Sequence, residues 1–105
     1  MKMHKKARIG TFVMADGPMG CYVGFLERLN FKRSAMNCTL AIARSAYPTH
    51  GGEVERFVSG RGSIDLGRII ENPVFRRVHL AHVAAIWELP DSLMKCYLDS
   101  KLPPP

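Results

Sequence analysis

Proline and glycine cut this chain into short pieces, and that punctuation bounds its fold more tightly than any other feature. Pro18, Pro48, Pro73 and Pro90 recur along its 105 residues, with glycine-containing breaks at 51–52 and 59–63. A proline removes an N–H and fixes φ, so it can open a helix or end one but does not sit inside it. Asn72-Pro73 is the clearest break, a capping side chain before a residue suited to the first helical position. No apolar run between the breaks approaches the roughly 20 residues a membrane-crossing helix needs. What remains is a set of short elements packed as one domain.

Residues 8–14 read as a short strand, and apolar spacing within the later pieces predicts helices. After Asp16-Gly17-Pro18, Met19, Tyr22, Val23 and Leu26 follow i, i+3, i+4, i+7, with Phe25 and Leu29 alongside. Ser34 opens a second helix over 34–46, where Met36, Leu40 and Ala43 form a stripe widened by Cys38 and Ile42, and Pro48 ends it. Glu53 to Val58 reads as one or two helical turns with its acids at the start, where the helix dipole favours them. Ser63 caps a short helix over 64–71 carrying Leu66, Ile69 and Ile70. A helix from 73 to about 88 carries two adjacent stripes, Val74, Val78, Ala81 and Ala85 beside Phe75, His79, His82 and Ile86. It has no formal charge from Val78 to Trp87, which marks it as the most buried. Asp91 or Ser92 caps a last helix to about Lys101.

The expected fold is therefore all-α, a compact single domain of four or five short helices over residues 8–102. Residues 1–7 form a disordered basic tail and 103–105 an exposed proline tail. The alternative is an α+β fold with an N-terminal β-hairpin at 8–26, because Asp16-Gly17 is also a hairpin signal. Pro18 straight after that turn is awkward in a paired strand and favours the helix.

Charge narrows the function classes. The net charge is +6, but Lys2, Lys5, Lys6 and Arg8 precede the first acid, Asp16, leaving 11 basic against 9 acidic side chains from residue 9 onward. The basic character lies mostly in the tail, which weakens the inference from pI to a nucleic-acid-binding face. Cys21, Cys38 and Cys96 are odd in number and widely spaced, so they define neither a disulfide framework nor a zinc knuckle. They indicate a reducing compartment, most simply the cytoplasm, and no secretory signal opens the chain.

No constellation for catalysis stands out, and the chain reads as a non-enzyme with no cofactor and no metal. On the expected helix, His79 and His82 share a face, but two histidines without further ligands read as hydrogen-bonded side chains. The loop Ser59-Gly60-Arg61-Gly62-Ser63 before a capped helix resembles an anion cradle, yet it lacks the Gly-Lys-Ser/Thr ending and the G-x-G-x-x-G spacing. Cys38 among apolar neighbours is an inert thiol.

Six methionines and nine aromatics in so short a chain leave more apolar faces than a small monomer easily buries. The expected function is a small regulatory protein–protein interaction module. It binds and inhibits or modulates a larger protein partner, such as a transcriptional regulator or enzyme of the bacterial or phage kind, by covering an apolar dimerisation or ligand surface. Its anchors are Tyr22, Phe25, Leu93, Met94, Tyr97 and Leu98, with Trp87 between core and interface, and a homodimer is expected. The alternative is a nucleic-acid-binding regulator using Lys5, Lys6, Arg8, Arg76 and Arg77, with Arg28, Lys32 and Arg33 as further basic candidates.

Overall fold

The computed structural model describes residues 7–48, 52–60, 64–70 and 77–91. It overturns the all-α expectation: the described residues are mostly antiparallel sheet with one short helix, α1. The elements are β1 (Phe12–Gly17), β2 (Gly20–Lys32), β3 (Ala35–Tyr47), α1 (Glu53–Val58), β4 (Asp65–Ile69), β5 (Arg77–Leu80) and β6 (Ala85–Glu88). They form one sheet in the order β4-β3-β2-β1-β6, with β5 also paired to β3. β4 takes the Arg44–Tyr47 end of β3 and β5 takes the Cys38–Ala41 end. Between β5 and β6 the chain crosses the sheet, where the Val83 N–H donates to the Met36 carbonyl and the Ala84 N–H to the Asp16 carbonyl.

The α+β alternative fares no better as a whole. Its hairpin is present, but as the first two strands of the common sheet. The turn is Pro18-Met19, since Gly17 pairs with Gly20. Pro18 takes the first central position, which its fixed φ suits, so the proline does not interrupt a ladder.

The short strand read at 8–14 overlaps β1, but burial on both faces hid the strands that follow. Val13 and Ala15 of β1 enter one core cluster, with Leu26, Leu40, Ala43, Leu80, Val83 and Ile86. Phe12 and Met14, the alternate residues, enter a second with Val23, Ala46, Phe57 of α1, Ile64 and Leu89. A strand covered on both sides reads as a continuous apolar run, not as the alternation of a half-buried strand. Each of the fully buried Val, Leu, Ile and Met side chains contributes about 1.5–3 kcal/mol.

Two bulges then counterfeit helical spacing. Between Val23 and Phe25 the register gains an extra residue on β3, and between Leu26 and Arg28 one on β2, Glu27. The two cancel, so the hairpin closes in register at Lys32 and Ala35. Each extra residue flips which side chains face the core. Met36, Cys38 and Leu40 alternate normally, and the bulge returns Ala43 to their cluster. The expected helical stripe Met36, Leu40, Ala43 is thus a strand pattern with a one-residue slip. Leu26 and Leu29 meet the same cluster by the same device on β2. Ile42, at the β3 bulge, carries a positive φ of 52°.

Gly24 lies opposite that irregularity. A Cβ there would stand 2.9 Å from the Ala41 carbonyl oxygen and 3.2 Å from Ala43 Cα. Only glycine permits β2 and β3 to approach so closely.

The expected helix over 73–88 is instead β5, a crossing segment and β6, with residues 71–76 outside the described set. His82 takes φ 56° in the crossing, which no right-handed helix accommodates. The uncharged run reflects burial of Val78, Leu80, Val83 and Ile86 against the core, as two short strands. The expected helix over 64–71 is β4. The last expected helix and both tails lie outside the described residues, apart from Asp91 at that helix's start and Ala7, which packs in the first cluster. The helix read from Glu53 to Val58 is present with those bounds.

Candidate functional site

The face of β2 opposite the first core cluster changes character along the strand. At Cys21, Val23 and Phe25 it is apolar and meets the second cluster beneath α1. Beyond the Glu27 bulge it becomes Arg28, Asn30 and Lys32, all exposed. Asn37 and Thr39 lie across from them on β3, since Asn30 pairs with Asn37 and Arg28 with Thr39. β5 extends the face, with His79 opposite Thr39 and Arg77 opposite Ala41.

A shallow groove of about 380 Å³ runs over this face between Arg28, Asn30, Lys32, Asn37, Thr39 and His79. A second depression of about 660 Å³ shares Arg28, Thr39 and His79 with it and reaches Ile9, Gly10, Glu27 and Arg77. Among the described residues, Glu27 is the only carboxylate lining either, and it is engaged by the Arg77 guanidinium. The two depressions adjoin at Arg28, Thr39 and His79, and the first is positive through Arg28 and Lys32.

Hydrogen bonds hold the groove floor. Thr39 Oγ1 lies 2.9 Å from His79 Nδ1 and fixes that ring across two strands. Asn37 Nδ2 donates to Asn30 Oδ1 at 3.3 Å, while the His82 N–H donates to Asn37 Oδ1 at 3.3 Å. Asn30 keeps its NH2 group with no protein partner among the described residues.

The basic residues singled out from sequence separate in space. Arg28 and Lys32 line the groove, whereas Arg33 stands at the tip of the β2–β3 hairpin. Arg8 forms a two-pronged pair with Glu88, its Nε 3.0 Å from Oε2 and one terminal nitrogen 3.0 Å from Oε1, which ties the N-terminal segment to β6. That bond holds the Glu88 carboxyl below its usual range. Arg77 borders the groove, and Lys5, Lys6 and Arg76 lie outside the described residues.

Of the expected apolar anchors, Tyr22 is half-buried against the first cluster, and Phe25 and Trp87 against the second. Leu93, Met94, Tyr97 and Leu98 lie outside the described residues. The anion cradle loses the helix that it needed, because β4 follows it, and residues 61–63 are not described. His79 and His82 do not share a helix face, and among the described residues no three metal-binding side chains gather. Burial pushes the Cys21 thiol up to about 12 and the Cys38 thiol up to about 11, so both stay protonated at neutral pH. Among the described residues, no helix is long and apolar enough to cross a membrane.

Sequence reasoning missed Asn30, Asn37, Thr39 and the groove role of His79. The available signal was the absence of any acid between Glu27 and Glu53, a stretch that holds Arg28, Lys32, Arg33 and Arg44. Comparison with known proteins adds nothing to this geometry, since no family model, curated protein or solved structure matches the chain.

Proposed function

We propose that this protein is a small nucleic-acid-binding module acting in a reducing compartment such as the cytoplasm, and that it holds the phosphate backbone in the groove over β2, β3 and β5. The observation that carries the reading is a polar sheet face with two cations, Arg28 and Lys32, that make no ion pair among the described residues, where the one described carboxylate is engaged by Arg77. Phosphates fit donors presented by a rigid sheet, and such contacts fix position without reading sequence.

The protein-occlusion reading has less support. Tyr22, Phe25 and Trp87 pack against the molecule's own clusters. The exposed large apolar side chains are Ile9, Met19, Phe31, Ile42 and Tyr47, spread over the N-terminal segment, one turn and strands β2 and β3, and scattered apolar side chains are normal on a surface.

The test is a salt titration of binding to labelled nucleic acid. Neutralising Z phosphates of a single strand gives log K against log salt a slope of about −0.7Z, so Arg28→Ala and Lys32→Ala should each flatten it by about 0.7. Absence of salt-dependent binding, or unchanged affinity in both variants, refutes the reading.

A further inference from the structure

The row on β2 carries the reading one step further. Arg28, Asn30 and Lys32 stand at i, i+2 and i+4 on the uncovered face. A strand rises about 3.3 Å per residue, so successive donors fall about 6.6 Å apart along a nearly straight line. That step is close to the separation of neighbouring phosphates along an extended single strand. The middle donor is set by the amide relay: the His82 N–H holds Asn37, Asn37 holds the Asn30 oxygen, and the Asn30 NH2 group is left for a ligand. Among the described groove-lining residues there is no Phe, Tyr or Trp, and the one ring is the His79 imidazole held by Thr39, so the row offers contacts to the backbone and no donor pattern that reads base edges. A duplex presents its charge as two rows wound on a convex surface, whereas this face offers one row in a shallow depression.

Resting on the nucleic-acid reading above, we propose that the ligand is a single strand lying along β2, its consecutive phosphates on Arg28, Asn30 and Lys32, and that it is bound without regard to base sequence.

Fluorescence anisotropy on the full chain tests this with three labelled probes of about 12 nucleotides, within the usual span of one small sheet module: oligothymidylate, a mixed-sequence single strand and a duplex. Both single strands should bind with similar affinity and about tenfold or more tightly than the duplex at low salt. Asn30→Asp keeps the side-chain size but sets a negative charge in the row, and should weaken single-strand binding about tenfold. Arg68→Ala, on exposed β4 away from the groove, should leave binding unchanged, and a thermal melt of each variant checks that it is folded. If the duplex binds as tightly as the single strands and Arg28→Ala weakens it, the surface assignment stands and the single-strand inference is overturned. A preference of more than about tenfold between the two single strands, or full affinity in folded Asn30→Asp, also overturns it. If none of the probes binds, the nucleic-acid reading itself falls.

Discussion

Gly24 and Gly67 give a paired test of the bulged hairpin. Both lie in strands without a positive φ, so alanine is conformationally allowed at each. On propensity alone the two substitutions should be equally mild, since replacing a strand glycine by alanine reduces unfolded-chain entropy and stabilises by about 0.4–1 kcal/mol. Their surroundings differ. At Gly24 the new methyl group meets backbone, the Ala41 carbonyl oxygen at 2.9 Å and Ala43 Cα at 3.2 Å, with Leu40 Cβ at 3.3 Å. None of these is the free end of a side chain, so β2 and β3 must separate locally. Overpacking of this kind costs about 1–3 kcal/mol, which after the entropic gain leaves Gly24→Ala destabilised by about 1–2 kcal/mol. At Gly67 the nearest atom is the Tyr47 hydroxyl at 3.3 Å, on a half-exposed ring that can move aside. Gly67→Ala should be neutral to about 0.5 kcal/mol stabilising. For a domain of this size 1 kcal/mol moves Tm by roughly 4–8 °C, so a thermal melt followed by far-UV circular dichroism should show Gly24→Ala lowered by about 5–15 °C and Gly67→Ala unchanged or slightly raised. Equal shifts, or a Gly24→Ala protein as stable as the parent, refute the close strand approach at the bulge.

The hairpin tip and the N-terminal tie yield two further predictions. Arg33-Ser34 forms a two-residue turn with φ 52° and 68°, the geometry that prefers Asn-Gly, so replacing the pair by Asn-Gly should stabilise by about 1–2 kcal/mol in denaturant unfolding. Arg33 does not line the groove, so nucleic-acid affinity should be retained. Glu88 has its folded-state carboxyl lowered by Arg8, so its contribution is present above the unfolded value near 4.5 and is lost as pH falls through the lower folded value. Urea midpoints measured from pH 6 down to pH 3 should therefore fall more steeply for the parent than for Glu88→Gln, and parallel curves would show that the pair does not contribute.

How much was legible in the sequence follows from what each segment is packed against. Glu53–Val58 was readable because a short helix depends on local signals, here acids in the first turn and Val54, Phe57 and Val58 on the side that meets the core. β2 and β3 were not, because two-sided burial removed the alternation over Cys21–Leu26, and the bulges at Glu27 and Ile42 imposed three-residue apolar steps that outweighed the alternation left at Met36–Leu40. The uncharged Val78–Trp87 segment correctly signalled burial but not shape, since a buried strand pair and a buried helix have the same composition. The basic candidates Arg28 and Lys32 were visible as residues. Their alignment with Asn30 was not, because it depends on the strand period of two and not on the helical spacing the chain imitates.

By itself, then, the sequence determined where this protein breaks, which residues it buries and where its charge lies, because proline geometry, hydrophobicity and ionisation belong to single residues and their near neighbours. Only the tertiary structure decided that the pieces are strands, that two opposed bulges keep the hairpin in register, and that Arg28, Asn30, Lys32, Asn37, Thr39 and His79 share one face. Those outcomes rest on hydrogen bonds and packing between residues far apart in the chain, such as Asn37 with the His82 N–H, Thr39 with His79 and Val13 with Glu88, and no local spacing encodes them.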